Sequence, residues 1–187
     1  LSNILTQLNK HNVNVFFVPF KKIGITIPQK NTTNREVAFT AKKGNKTIIF
    51  VDTDRTIDET NFDVCHELAH IALNHTVTTD EEEKFCNMVA QELVYPTAFF
   101  KESADVIAPF LDASNYSWLY SINSFKELCQ EFDWSPKGLA LSLCGSGLIE
   151  KDSHEYLRLM KIGSSLKALN KTMDEIHFKE FKTEKFD

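Results

Sequence analysis

Two histidines four apart, with a glutamate directly after the first, stand in the run DVCHELAHIALNH at residues 63–75. On a helix of 3.6 residues per turn His66 and His70 fall one turn apart on one face, where two imidazoles can converge on a single ion. Neutral imidazoles are borderline-soft donors suited to zinc. Glu67, offset from the pair, is better placed to reach a water carried by the metal than the metal itself. This H-E-x-x-H spacing creates a nucleophilic water near neutral pH with a general base beside it. The ordinary alternative is a pair of core histidines satisfied by hydrogen bonds, so a third ligand is the next thing to look for.

His75 falls one residue short of the histidine position in the extended H-E-x-x-H-x-x-G-x-x-H pattern, and Leu73 stands where the glycine would be. Nine residues on from His66, it points away from the pair and reads as a histidine facing the negative end of the helix dipole. The acids of TTDEEEKFCN are the other source. Capping and the helix dipole account for Asp80, Glu81 and Glu82 in a first turn. Glu83 is left over, at helical spacing with Cys86, Ala90 and Leu93 on the face expected to turn inward. A metal would compensate an inward carboxylate. Asn87, one turn further on, could orient a ligating histidine by hydrogen bonding. The predicted ligands are therefore His66, His70 and Glu83, with Glu67 as general acid and base. Cys65 and Cys86 fall nearby, where a buried cysteine usually serves as a small apolar residue.

The elements that must hold these residues carry their own signals. Leu1, Ile4, Leu5 and Leu8 predict a helix over residues 1–10, and VNVFFVPF (13–20) predicts a strand. EVAFTAKKGNKTIIFVD (36–52) reads as two strands around a two-residue turn at Gly44-Asn45, and either run offers an edge for an extended substrate. Thr56 with Glu59, and Thr79 with Glu82, are capping boxes. The first opens a helix running to Asn74 or His75, apolar around nearly its whole circumference; the second opens one that stops before Pro96. Beyond it the pattern is mostly helical, with turns expected at 112–116, 134–136 and 145–147.

The 187 residues, 42% hydrophobic and 25% charged, suit one globular domain or one with a small appendage. A net charge of −5 and three arginines argue against a nucleic-acid-binding surface. No apolar run reaches a membrane span, and the N-terminus lacks a signal-peptide layout, although a chain starting at Leu1 leaves room for an upstream piece. Four scattered cysteines without a C-x-x-C pair suit reduced thiols in the cytoplasm.

FVDTDRTIDETNFDVCHELAHIALNH, a short acidic spacer, then EKFCNMVAQELVYP resembles the ImmA/IrrE family of zinc metallopeptidases, in which H-E-L-G-H is followed by E-x-x-A-x-x-F-A and a closing L-L-M-P. The second motif lands on Glu83, Cys86, Val89 and Ala90, and the closing one on Leu93 to Pro96. Ala69, Cys86 and Val89 depart from the pattern. The likeness covers about residues 13–150. It implies an α+β fold with a zincin-like core, a small twisted sheet and an H-E-x-x-H helix of gluzincin type, followed by a mostly helical part. In domain terms this gives a metallopeptidase domain over 1–150, with its metal site at 57–96 and a helical segment at 97–150, and a helical extension over 151–187. The resemblance further implies Zn2+ as cofactor, a cytoplasmic setting and a helix-turn-helix transcriptional repressor as substrate. The alternative is a metal-stabilised module that captures a repressor without cutting it. The sequence does not choose an oxyanion donor among Tyr95, Tyr116, Tyr120 and His154. SPKGLALSLCGSGL, with one lysine and no arginine, favours helix packing over DNA contact.

Overall fold

The computed structural model describes residues 2–24, 37–74, 79–105, 127, 129–130 and 134–165. The turn expected at 112–116 and residues His75, Tyr116 and Tyr120 lie outside these, as does the tail after Ser165. The described elements run α1 (Ser2–Lys10), β1 (Val13–Val18), β2 (Ala38–Lys43), β3 (Lys46–Asp52), α2 (Ile57–Leu73), α3 (Asp80–Val94), α4 (Thr97–Glu102), α5 (Pro136–Gly145) and α6 (His154–Ser165). Helices mixed with a small three-stranded sheet make the fold α+β. Two compact units part between Ala90 and Gln91, inside α3. No helix among the described residues is long and apolar enough to cross a membrane.

In the first unit β3 lies between β1 and β2, parallel to the former and antiparallel to the latter. The β2–β3 pair is the predicted hairpin: Lys43 faces Lys46 across the turn, and Gly44 adopts a φ of +61°, a conformation that costs glycine no Cβ clash. TIIFVD is therefore a central strand, and of the two runs EVAFTA alone keeps an edge among the described residues. The reason is that β1 occupies the other side of β3, in register from Val13 with Thr47 to Val18 with Asp52. Parallel pairing across so long a crossover leaves no local sequence signal.

Alternation along the strands sorts their faces. Ile49 and Val51 are wholly buried together with Leu8 of α1, Val13 of β1 and Val64 of α2. Burying such aliphatic side chains contributes about 1.5–3 kcal/mol each, which is what seats α2 on the sheet. On the opposite face Phe16, Phe50 and Phe39 form a cross-strand row, their ring centroids 5.9 and 4.9 Å apart.

Helix α2 starts at its capping box, with the Thr56 N–H donating to Glu59 Oε2 at 3.3 Å. It ends where Asn74 turns left-handed, φ 50°, and returns its N–H to the His70 and Ile71 carbonyls. Its last turn departs from the fully buried helix that the apolar run predicts, since Ala72 and Leu73 are exposed. The core cluster includes Val64, with Leu68 and Ile71 packed against it, and reaches no further along the helix. Helix α3 begins with the second capping box, Thr79 N–H to Glu82 Oε2 at 2.8 Å and Glu82 N–H to Thr79 Oγ1 at 3.2 Å. Cys86 and Ala90 are buried as expected, but Leu93 is exposed. Seven residues beyond Cys86 it lies within about 20° of the same azimuth, so the helix face continues to Leu93 but is left uncovered there.

The second unit is built around Trp134, whose ring lies 5.6, 5.7 and 5.2 Å from those of Tyr95, Phe99 and Phe100. Its indole N–H donates to the Val94 carbonyl at 3.0 Å. Ser135 caps α5 by accepting the Gly138 N–H at 2.8 Å, with Pro136 opening the helix. The Tyr95 hydroxyl accepts the Ser135 N–H at 3.1 Å. A glycine is required at 138, since a Cβ there would stand 2.1 Å from the Tyr95 hydroxyl oxygen. Helix α5 buries Pro136, Gly138, Leu139, Ala140, Ser142 and Leu143, and Tyr156 and Leu159 of α6 join the same core.

Candidate metal centre

Helix geometry and the two capping boxes together fix where the candidate ligands meet. His66 and His70 share a face of α2, with Nε2 atoms 2.9 Å apart and ring planes 76° from each other. Glu83 arrives on the first turn of α3, its N–H donating to the Thr79 carbonyl at 2.9 Å. Its Oε2 lies 3.3 Å from His66 Nε2 and its Oε1 3.6 Å from His70 Nε2. One ligand atom from each residue lies within 4.8 Å of the others, a group that could hold a metal ion. Tetrahedral coordination by nitrogen and oxygen keeps neighbouring ligand atoms about 3.3 to 3.6 Å apart. Each Glu83 oxygen lies at such a distance from one histidine, 3.3 Å from Oε2 to His66 and 3.6 Å from Oε1 to His70, and the two imidazole nitrogens at 2.9 Å stand somewhat closer, so the donor set suits a divalent ion in chemistry and is gathered at nearly the right spacing.

The electrostatics favour the ligand form. Burial lowers the pKa of His66 despite the opposing charge and hydrogen bond of Glu83 and a further hydrogen bond from Asn87, so its imidazole stays neutral to lower pH than usual. His66 Nδ1 is buried, and no close hydrogen-bond partner meets it among the described residues. Asn87 is exposed, and its side chain hydrogen-bonds to the His66 imidazole. Glu83 is less inward than its spacing predicts, with 42% of its side chain exposed, because it sits in the open first turn of α3.

Glu67 is buried on α2, and Thr40 Oγ1 of β2 donates to its Oε2 at 2.6 Å. Cys86 Sγ lies 3.4 Å from His70 Nδ1. The Cys86 thiol pKa is raised by burial and then by the charges of Glu83, Glu67 and Glu82. Cys65 is likewise pushed up, to about 11, by burial, and stays an apolar thiol.

Sequence reasoning missed the contact of Thr40, and placed Cys86 near the site without naming His70 as its partner. Each contact joins residues from different elements, and the one sequence signal was a hydroxyl two positions from Ala38 on the inward face of a strand. Of the four suggested oxyanion donors, Tyr95 is buried with its hydroxyl bonded to Ser135, and His154 is exposed at the start of α6.

Among comparisons with known proteins, a family model matches residues 8–125, more than half of the chain: Peptidase M78, the IrrE N-terminal-like domain. No curated protein and no solved structure matches significantly.

Proposed function

The chain belongs to the Peptidase M78 family, with its IrrE N-terminal-like domain, and from that premise we propose that it is a cytoplasmic zinc-dependent endopeptidase of zincin-like, gluzincin type that cuts a helix-turn-helix transcriptional repressor. The observation that carries the metallopeptidase reading is the meeting of His66, His70 and Glu83, with Glu67 buried on the same helix. The repressor and the regulatory role rest on the family resemblance.

His66 and His70 would hold the ion through Nε2 and Glu83 through its carboxylate. Zinc, when bound, supplies Lewis-acid activation of water and of the scissile carbonyl. Glu67 takes the proton from the attacking water on its carboxylate and passes it to the leaving amine. Its burial keeps bulk water from competing for that proton. Along β2, the hairpin register turns the main-chain groups of Val37, Phe39 and Ala41 toward β3, as the Asp52 N–H to Val37 carbonyl bond of 2.8 Å illustrates. Those of Ala38, Thr40 and Lys42 face outward, which supports pairing of an extended substrate with this edge. Backbone pairing is sequence-tolerant, so selectivity would come from docking of the folded partner on the helical segment after residue 96.

The test is incubation of the zinc-loaded protein with a purified repressor, with fragments read by mass spectrometry. Cleavage at one peptide bond, stopped by a chelator and poor on short peptides spanning the same bond, is the expected result. Tight binding with no cut would replace the protease by the repressor-binding module.

A further inference from the structure

We propose that Thr40 is a positioning residue for Glu67: its hydroxyl, carried on the edge strand β2, locks the carboxylate of the proton-transferring glutamate in its working orientation. The inference rests on the functional reading above and deepens it.

The contact is short and charge-assisted, Thr40 Oγ1 donating to Glu67 Oε2 at 2.6 Å. It joins residues 27 apart in sequence, so it exists only because the hairpin brings β2 against α2. The hairpin register fixes Thr40 opposite Ile49, which is wholly buried, and two residues from Ala38, which packs on the core. The threonine side chain is thereby held on the face that meets α2. A second tie lies at the end of that helix, where Lys42 Nζ donates to Asn74 Oδ1 at 2.7 Å. β2 is thus joined to α2 near the middle and at the C-terminus.

A glutamate has three side-chain torsions, and a base that must meet a water in one direction loses rate if the carboxylate wanders. Thr40 is itself stiff at χ1, being β-branched. A hydroxyl on a rigid strand, gripping one carboxylate oxygen, fixes both the rotamer and the plane of the other side chain. Aliphatic neighbours could fill the same space but could not set that plane. A threonine serving the sheet alone would need no polar partner at this distance.

Acetohydroxamic acid tests the idea without knowledge of the substrate. To bind zinc as the anion it must give its O–H proton to a neighbouring base, and Glu67 is the group so placed. Calorimetry with the zinc-loaded full chain should show Thr40→Val binding acetohydroxamate about tenfold more weakly than wild type, because a Glu67 carboxylate left free to turn is less often placed to take the proton, an effect that outweighs the easier protonation of a carboxylate stripped of one donor. Thr40→Ser should recover most of the affinity, and Thr40→Val should add no loss in a Glu67→Gln background. Zinc content stays at one per chain in all variants. If Thr40→Val does not fold, Thr40→Ala takes its place. Unchanged affinity in Thr40→Val, failure of Thr40→Ser to recover it, an undiminished loss in the Glu67→Gln background, or loss of zinc would overturn the proposal. A wild-type protein that binds zinc but no acetohydroxamate would instead overturn the open catalytic site, and this inference with it.

Discussion

Among the described residues of the second unit, buried polar groups are spent on each other. Tyr95 meets Ser135, Trp134 meets the Val94 carbonyl, and Gln91 donates to the Gly138 carbonyl and to Ser142. In the first unit Thr53 Oγ1, Thr60 Oγ1, Asn61 Oδ1 and His66 Nδ1 are buried without partners, all on α2 or just before it. An unsatisfied buried group costs about 1–3 kcal/mol, so a fold keeps several together only where something else requires those residues. The second unit reads as structure. The helix bearing His66, Glu67 and His70 reads as a working surface, and its removable groups should affect chemistry more than stability.

The sharpest way to break that contrast is Glu67→Gln. Removing the acid and base while keeping every ligand should lower hydrolysis by at least about a hundredfold, with zinc content unchanged by elemental analysis. His70→Ala, by contrast, should lose the metal. If Glu67→Gln cuts at the wild-type rate, Glu67 is a structural acid and the two units do not differ in kind.

The complementary perturbation falls on the second unit. Gly138→Ala would press a methyl group against the Tyr95 hydroxyl, 2.1 Å away, and against Ser135 Oγ, 2.8 Å away. We expect a loss of about 3 kcal/mol, read from denaturant unfolding, with zinc binding by the folded fraction unaffected. A neutral result would mean that the Tyr95–Ser135 pair yields easily and is not what fixes the start of α5.

What could be read in advance follows from how local each signal is. Capping boxes at Thr56 and Thr79 depend on residues three apart, and the histidine pair depends on helix pitch alone. Glu83 emerged by elimination, because capping explained its neighbours. The order of the strands, the Thr40–Glu67 bond and the Cys86–His70 contact are tertiary, and no window of sequence contains both partners. Leu93 keeps the azimuth of the buried Cys86 to within about 20°, yet is exposed, because helix pitch tells which face a residue shares and not how far the covering of that face extends.

A smaller effect distinguishes the units through pH. Burial pushes Asp63 from 3.8 up to about 6, against the charge and hydrogen bond of Arg55, whose Nε lies 3.0 Å from Oδ2. The folded pKa is above the unfolded one, so the folded state holds this proton more tightly and stability falls as pH rises from about 4 through 6. The loss amounts to at most about 3 kcal/mol. Asp63→Asn, neutral throughout, should flatten that part of the profile; urea unfolding of both proteins across this range provides the difference, and identical profiles would place Asp63 with an ordinary pKa.

The mildest change tests whether the working surface extends beyond its ligands. Cys86 touches His70 Nδ1 at 3.4 Å, the position from which a carboxylate or carbonyl usually fixes a metal-binding imidazole. Burial and three neighbouring glutamates raise its pKa, so it remains a neutral thiol and a weak partner. Its contribution should fall below the roughly tenfold to hundredfold range of stronger partners. Cys86→Ala should weaken zinc binding about fivefold in competition with a chelator, and Cys86→Ser, which restores a hydrogen-bonding atom, should weaken it less. A loss beyond a hundredfold would make the thiol a ligand. No change in either variant would reduce the contact to packing and confine the working surface to His66, Glu67, His70 and Glu83.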